Sequence, residues 1–402
     1  MQNTQIIPSF SSDVIEIERF DHINSIHQNE WNQIAGQYFY AKTDYLSIIE
    51  DNQREKMEFV YFLIKVKDKY LAAIYFQYIH FELINAVNNL KEKNENQCSI
   101  LQSVFSIAKS KQLPLLQSGN IFFTEDDGLY FKKEVTEDLK IKIIESVCNY
   151  IRSDKDKGKS TSVVFSGFHQ KSEICMDKVN GLYELETEPN LIMKIQSSWG
   201  SFDDYMQSMS SKYRQRVKKV YKQTAELKVK VFSESEIIEN EADLIQLYKN
   251  VANHANFNMA YLNKGYFIAM KRLFQDQFIM KGYYLQGQLV GFTSAFYQNE
   301  NQYVHFIGMN YEVNESIPLY HRILFEFVND SIEHQNKIVY LGRTATEIKT
   351  TIGAEPIVLY NYINLSKKWY MCMAPKVLHR FGAKPYIVRS PFKELQVEEV
   401  KS

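Results

Sequence analysis

A chain of 402 residues with 45% hydrophobic and 24% charged side chains has the balance of a folded globular protein and is too long for one ordinary core. Forty-seven Lys and Arg against 48 Asp and Glu leave a formal charge of −1, which excludes a chain-wide field for nucleic acid or a membrane surface. No apolar run approaches the roughly 18 residues of a membrane span. The start, MQNTQIIPSFSSDVIEIERF, lacks the basic and apolar regions of a signal peptide. Cys98, Cys148, Cys175 and Cys372 stand far apart in no metal or redox spacing. Reduced thiols in a cytoplasmic protein without a metal site are therefore expected.

Taken in order, Val14 to Ile17 predicts a first strand, and Trp31 to Ile34 and Tyr45 to Ile49 predict short helices. Residues 59–78 alternate as a hairpin turning near Asp68–Lys69. Lys91 to Gln97 reads as loop, Ile100 to Ala108 as helix, and Asn120 to Phe131 as a loop beside a strand. Leu139, Ile143, Ile144, Val147 and Ile151 share one stripe of a helix over 137–151. A solvated turn at Ser153–Ser160 and strands at 162–165 and 182–195 complete the first half. In the second half, Ser201 and Asp204 form a capping-box pattern before FDDYMQSM. The helix SKYRQRVKKVYKQTAEL follows, then a strand at 229–232 and helices at 241–252 and 266–274. The hairpin KGYYLQGQLVGFTSAFYQ is expected to turn at Gln286–Gly287.

Tyr303 to Ile357 is the most informative stretch. Residues 303–310 alternate as a strand, and Leu319, Ile323, Leu324, Phe327 and Ile332 recur at helical spacing. Ile338 to Leu341 is a short apolar run of the kind a buried parallel strand shows. Strand, crossover helix and strand form a right-handed βαβ unit, and ligands bind where its strands end. Attention therefore falls on Asn310–Pro318 and Gly342–Gly353. A last strand, Val358 to Leu365, precedes the tail KKWYMCMAPKVLHRFG, which is expected to pack across the sheet in preference to a membrane interface. The halves rhyme at an offset of about 220 residues, KTDYLSIIED with NKGYFIAMKR and YLAAIYFQY with LVGFTSAFY, which suggests one duplication.

Two motifs carry charge in a suggestive place. Lys212, Arg214, Arg216, Lys218, Lys219 and Lys222 put six cations into eleven residues of one helix. Such a helix suits phosphate or another anion, or it is simply a solvated face over Val217, Val220 and Tyr221. Arg343, at the end of a buried strand, needs an anion, either a protein carboxylate or a substrate. Thr344 and Glu347 fit a capping box for the short helix that follows, and Gly353 with Pro356 fits its stop.

SSKYRQRVKK at 210–219, the hairpin LQGQLVGFTSAFY at 285–297 and YHRILFEFVNDSIEHQNKIVYLGRTATEIKTTIGAE at 320–355 together resemble the GNAT superfamily of acyltransferases, in its FemAB-like two-domain branch. The resemblance covers roughly residues 200–365 and, more faintly, the N-terminal half. It implies an α+β protein of two tandem GNAT-like domains, drawn here at 1–198 and 199–402, with most of the site in the second. Lys349 and Gly353 match the Lys…Gly spacing that closes a Fem-type domain. Two departures stand out. The loop Tyr311–Pro318 has no glycine and two carboxylates (Glu312, Glu315) where a GNAT chain has a glycine-rich pyrophosphate loop, and the heptad insertion of transfer-RNA-using Fem enzymes is missing.

The reading that follows is an N-acyltransferase moving an acyl group from a thioester, acyl-CoA or an acyl carrier protein, to a small amine, with no permanently bound cofactor and no DNA partner. Glu347 is the expected base and Tyr320 the expected acid for the departing thiolate, with His321 a further catalytic candidate or simply a cap-region histidine. Arg343, Lys349, Asn310 and His305 are expected to hold substrate, and Lys212, Arg214, Arg216 and Lys219 the donor's phosphates. A Fem-type ligase using aminoacyl-tRNA on a cell-wall precursor is the first alternative. A non-catalytic binding protein on the same fold is the second.

Overall fold

The computed structural model describes residues 3–7, 14–82, 112–154, 162–169, 174–254, 260–365 and 386–393. The expected loop at 91–97 and helix at 100–108, most of the turn at 153–160, and the whole tail at 367–382 lie outside them. The chain forms two compact units that do not follow a single cut at 198/199. The first comprises Met1–Thr187, Asn253–Ala269 and Val358–Ala383, and the second Glu188–Ala252, Met270–Ile357 and Lys384–Ser402. Each half of the sequence thus lends a segment to the unit built mainly by the other. Strand pairing is the reason, and pairing between residues distant in sequence is not readable from local pattern.

In the first unit, β1 (Asn3–Ile7), β2 (Ile15–Phe20), β3 (Glu58–Val66), β4 (Lys69–Glu82) and β5 (Gln112–Ser118) pair antiparallel in that order, with β6 (Leu129–Phe131) also on β4. The β3–β4 turn falls at Lys67 and Asp68, both at positive φ, one residue earlier than expected. Then β5 pairs parallel with β7 (Ser162–Phe168), and β14 (Glu355–Asn364) adds antiparallel to β7. Helix α3 (Glu137–Ser153) connects β6 to β7, capped by Thr136 and burying the Ile143, Ile144, Val147, Ile151 stripe against one sheet face. At roughly 1.5–3 kcal/mol per buried aliphatic side chain, that stripe rather than helix propensity holds α3 in place. Helices α1 (Gln28–Ala35) and α2 (Thr43–Gln53) belong to the same unit, as does a cluster of Trp31, Tyr61, Tyr75 and Tyr130 in edge and stacked contacts. At its centre the buried Asp126 carboxylate accepts from the hydroxyls of Tyr75 and Tyr130 and from Gly128 N.

The second unit repeats this plan. Helices α4 (Phe202–Ser208) and α5 (Ser211–Gln223) lead into β9 (Lys228–Val231), α6 (Glu234–Glu239) and α7 (Glu241–His254). Helix α8 (Tyr266–Phe274), which enters this unit at Met270, precedes the antiparallel set β9, β10 (Phe278–Leu285), β11 (Gln288–Gln298) and β12 (Asn301–Met309). The β10–β11 turn at Gln286–Gly287 has both residues at positive φ, as the hairpin pattern required. After α9 (Tyr311–Ser316) and α10 (Leu319–Glu333), β13 (Ile338–Gly342) pairs parallel with β12, and the end of β8 (Tyr183–Lys194) closes the other side of β13. Leu319, Ile323, Leu324, Phe327 and Val328 of α10 pack with Val339 and Leu341 of β13 in one core. The expected βαβ unit is there, with α11 (Thr346–Thr350) after it. The sequence rhyme is thus a rhyme of topology, since β3–β4–β5–α3–β7 matches β10–β11–β12–α10–β13 strand for strand.

Candidate active site

The parallel pair at the centre of the second unit is short. Only Asn301–Tyr303 of β12 register with Ile338–Tyr340 of β13, although β12 runs on to Met309 and β13 to Gly342. Each strand is bulged just beyond the last shared rung. On β12, His305 and Phe306 together oppose the single Ser294 of β11; on β13, Leu341 is the extra residue between the rungs to Ile192 and Leu191 of β8. A bulge bends its strand and strengthens the local twist. Two of them on facing strands therefore open a fork at the carboxyl end of the pair, where ligands of open sheets bind. Ser294 occupies the first bulge, its hydroxyl accepting from Phe306 N at 3.0 Å. Tyr303 and Tyr340 stack at the crotch, with ring centroids 4.6 Å apart and an interplanar angle of 5°. No proline or glycine at 305, 306 or 341 announces either bulge, and the sequence reading missed both.

Arg343 leaves the end of β13 at this fork. Its side chain is exposed to solvent, and desolvation by the surrounding protein lowers its pKa against the pull of Glu188. The turn behind it is strained. Gly342 has φ +72°, and Thr344 and Ala345, which carry side chains, have φ +66° and +51°. Such conformations cost on the order of 1–3 kcal/mol each and cluster at functional sites. The expected capping box is not made, because Ala345 occupies the N-cap of α11 and no side chain caps it.

Lys349 takes a different role from the expected one. It is 4% exposed, and its ammonium donates to the carbonyls of Leu341, Gly342 and Arg343 at 2.7, 3.1 and 2.7 Å. With three N–H donors matched by three backbone acceptors, it serves the turn rather than a substrate. Asn310 likewise caps α9, its Oδ1 accepting from Glu312 N and Val313 N. The segment expected as a loop is therefore a short helix. His305 is held against Phe296 and Phe306 in ring contacts, and desolvation depresses its pKa to about 3, so it packs as a neutral ring.

Helix α5 supplies the cations. Val217 and Val220 are buried and Tyr213 and Tyr221 pack beside them, which turns Lys212, Arg216, Lys218, Lys219 and Lys222 outward, with Arg214 half-buried. No ion pair engages any of the six among the described residues. Arg322 fastens α5 to α10. Its guanidinium lies 4.1 Å from the Tyr221 ring centre, donates to Thr224 Oγ1 at 3.3 Å and pairs with Glu326 at 2.7 Å. His321, in the first turn of α10, has its pKa lowered by desolvation and then by the charge of Arg216. The basic helix therefore reaches the start of α10, whose first turn contains no acid. Tyr320 beside it is held as the neutral phenol, its pKa raised by burial.

Glu347 sits on α11 with its carboxylate 3.8 Å from Arg389, both half-exposed. Among the described residues no hydrogen bond or ion pair joins it to Tyr320 or His321. Arg389 belongs to the C-terminal segment 386–393, which no sequence signal marked. Its Phe392 packs on Trp199 and Tyr205 and bridges to Met209, directly before α5.

A family model for FemAB-like proteins, described as peptidoglycan biosynthesis/recognition, matches residues 129–359, more than half of the chain. The chain belongs to the FemAB-like family. Among solved structures, a crystal structure of FemX aligns over 89% of this chain and 100% of its own, with 8% identity and a TM-score of 0.51, a likeness of fold. A tandem GNAT protein from the clavulanic acid biosynthesis pathway aligns over 86% and 98% at 8% identity and TM-score 0.47. L-PGS from Bacillus licheniformis aligns over 84% and 96% at 11% identity and TM-score 0.44. No curated protein matches the sequence. The family and the likeness of fold to FemX agree with the expected α+β architecture, whose strand–strand–strand–helix–strand plan both units of this FemAB-like chain repeat. Among the described residues no helix is long and apolar enough to cross a membrane, and no cluster of His, Cys, Asp or Glu is arranged to hold a metal ion.

Proposed function

We propose that this protein transfers an acyl group from a thioester donor to an amine at the fork between β12 and β13. The observation that carries the reading is the fork itself, bulged on both sides, with Arg343 at its wall and the basic face of α5 beside the start of α10. The amine nitrogen attacks the thioester carbon, the C–N bond forms, and the C–S bond breaks as the oxyanion collapses. The amine proton leaves to a base and the departing thiolate takes up a proton. Tyr320, a neutral phenol at the head of α10, is suited to give that proton. Glu347 or a water takes the amine proton, and Glu347 must first turn from Arg389 to do so. The donor's phosphates lie along Arg216 and the α5 lysines, where mobile cations replace the backbone N–H cradle of a glycine-rich loop.

The donor class is tested by calorimetric titration of the full chain with coenzyme A, an acylated carrier protein and charged transfer RNA. Coenzyme A or the carrier protein should bind, and Arg343→Ala should weaken binding about 10- to 100-fold, the worth of one charge-assisted contact of roughly 1.5–3 kcal/mol. Wild-type affinity in Arg343→Ala, or no binding of any donor, refutes the reading. A second reading is favoured by the family match and by the full-length alignment of FemX, namely Fem-type transfer from aminoacyl-tRNA to a cell-wall precursor. Under it, turnover requires charged transfer RNA and RNase abolishes it, whereas thioester-dependent turnover survives RNase.

A further inference from the structure

The bulge at Leu341 takes the end of β13 out of its ladder, and carbonyls released in this way need another partner. Leu341, Gly342 and Arg343 turn three consecutive carbonyl oxygens to one point, and Lys349 Nζ occupies it at 2.7, 3.1 and 2.7 Å. Immediately downstream lie the two left-handed residues Thr344 and Ala345, a conformation that persists only where its surroundings over-determine it. The ammonium reaches back from α11 over the whole turn, so it closes a small ring of backbone around the base of Arg343.

We propose that Lys349 is a positioning residue that clamps the bulged end of β13 so that Arg343 leaves the fork in one direction, and in this way sets the site's affinity for anions. The inference rests on the reading of Arg343 as the anion-binding group. A lysine that merely stabilises the domain would act independently of Arg343; a clamp acts through it.

A double-mutant cycle separates the two. Full-length wild type, Arg343→Ala, Lys349→Met and the double variant are titrated with coenzyme A and with inorganic pyrophosphate. Lys349→Met keeps the length and burial of the side chain and removes its donors. It should weaken binding about as much as Arg343→Ala, at least 10-fold, and the double variant should bind no more weakly than Arg343→Ala alone. Lys349→Arg, which keeps several donors, should stay within about threefold of wild type. Losses that multiply in the double variant, or wild-type affinity in Lys349→Met, overturn the proposal. Should Lys349→Met not fold, Lys349→Gln, which removes the ammonium but keeps a polar side chain, takes its place in the cycle and is judged by the same thresholds. If wild type binds neither probe, the anion-site reading falls by itself. The clamp is then decided by the rate at which phenylglyoxal modifies Arg343, read by peptide mass spectrometry. A change of about fivefold in Lys349→Met supports the clamp, and equal rates overturn it.

Discussion

Gly353 offers a quantitative check on how the site is braced. Its φ is +101°, and a Cβ built there lies 2.4 Å from two ring carbons of Phe392, with Met193 Cε at 3.6 Å. The Phe392 ring has little room to yield, because it packs 5.5 Å from the Trp199 ring and 6.1 Å from that of Tyr205, centre to centre. Gly287 is the control, since its φ is +84° and nothing lies within 4 Å of its added Cβ. An L side chain in a left-handed conformation costs about 1–2 kcal/mol, and overpacking adds about 1–3. Gly287→Ala should therefore destabilise by about 1–2 kcal/mol and Gly353→Ala by roughly 2–5. Removing the ring with Phe392→Ala should cancel the packing part, so the pair should couple by about 1–3 kcal/mol. Urea unfolding followed by tryptophan fluorescence measures all four. Equal losses at the two glycines, or strict additivity of Gly353→Ala with Phe392→Ala, would refute the idea that the 386–393 segment wedges against α11.

Three further outcomes are expected. Burial raises Asp126 to about 6, so the folded state keeps a proton that the unfolded chain releases near its ordinary value. The contribution of Asp126 to stability therefore falls as pH climbs from about 4 to about 6 and levels above that. Asp126→Asn should remove up to about 3 kcal/mol of this slope, and an unchanged difference between urea midpoints at pH 4.5 and 7 would count against it. Lys281 pairs with Asp330 inside the second unit, where Asp330 is 4% exposed. Lys281→Met should cost about 3–5 kcal/mol by stranding the carboxylate, and Lys281→Met/Asp330→Leu should recover most of it. A double variant as unstable as the single one contradicts this. Tyr320→Phe should lower kcat about 10- to 100-fold while donor affinity stays put, and a kcat unchanged within twofold removes Tyr320 from the proton path.

Periodicity and turn chemistry, which act within a few residues, were legible in the chain. The hairpins at 58–82 and 278–298, the stripes of α3 and α10 and the strand–helix–strand unit at 301–342 all lie close to where alternation and helical spacing put them. So was the exposure of the α5 cations, because a helix that buries Val217 and Val220 has one face left for charge. The first half was less legible, since no strand was read at 112–118, where β5 pairs with β4 and β7.

Tertiary structure alone decided what those charges do. Whether Lys349 meets a ligand or three carbonyls depends on a bulge at Leu341, and that bulge comes from register with β8, about 150 residues earlier in the chain. His305 and Asn310 show the same limit, one absorbed into an aromatic pocket and the other into a helix cap. Long-range register also gave β14 to the first unit and the end of β8 to the second, so no single cut in the chain separates them. A side chain's type restricts the partners it accepts, but the partner within reach is chosen by strands paired across the whole length of the chain, and local spacing holds no record of that choice.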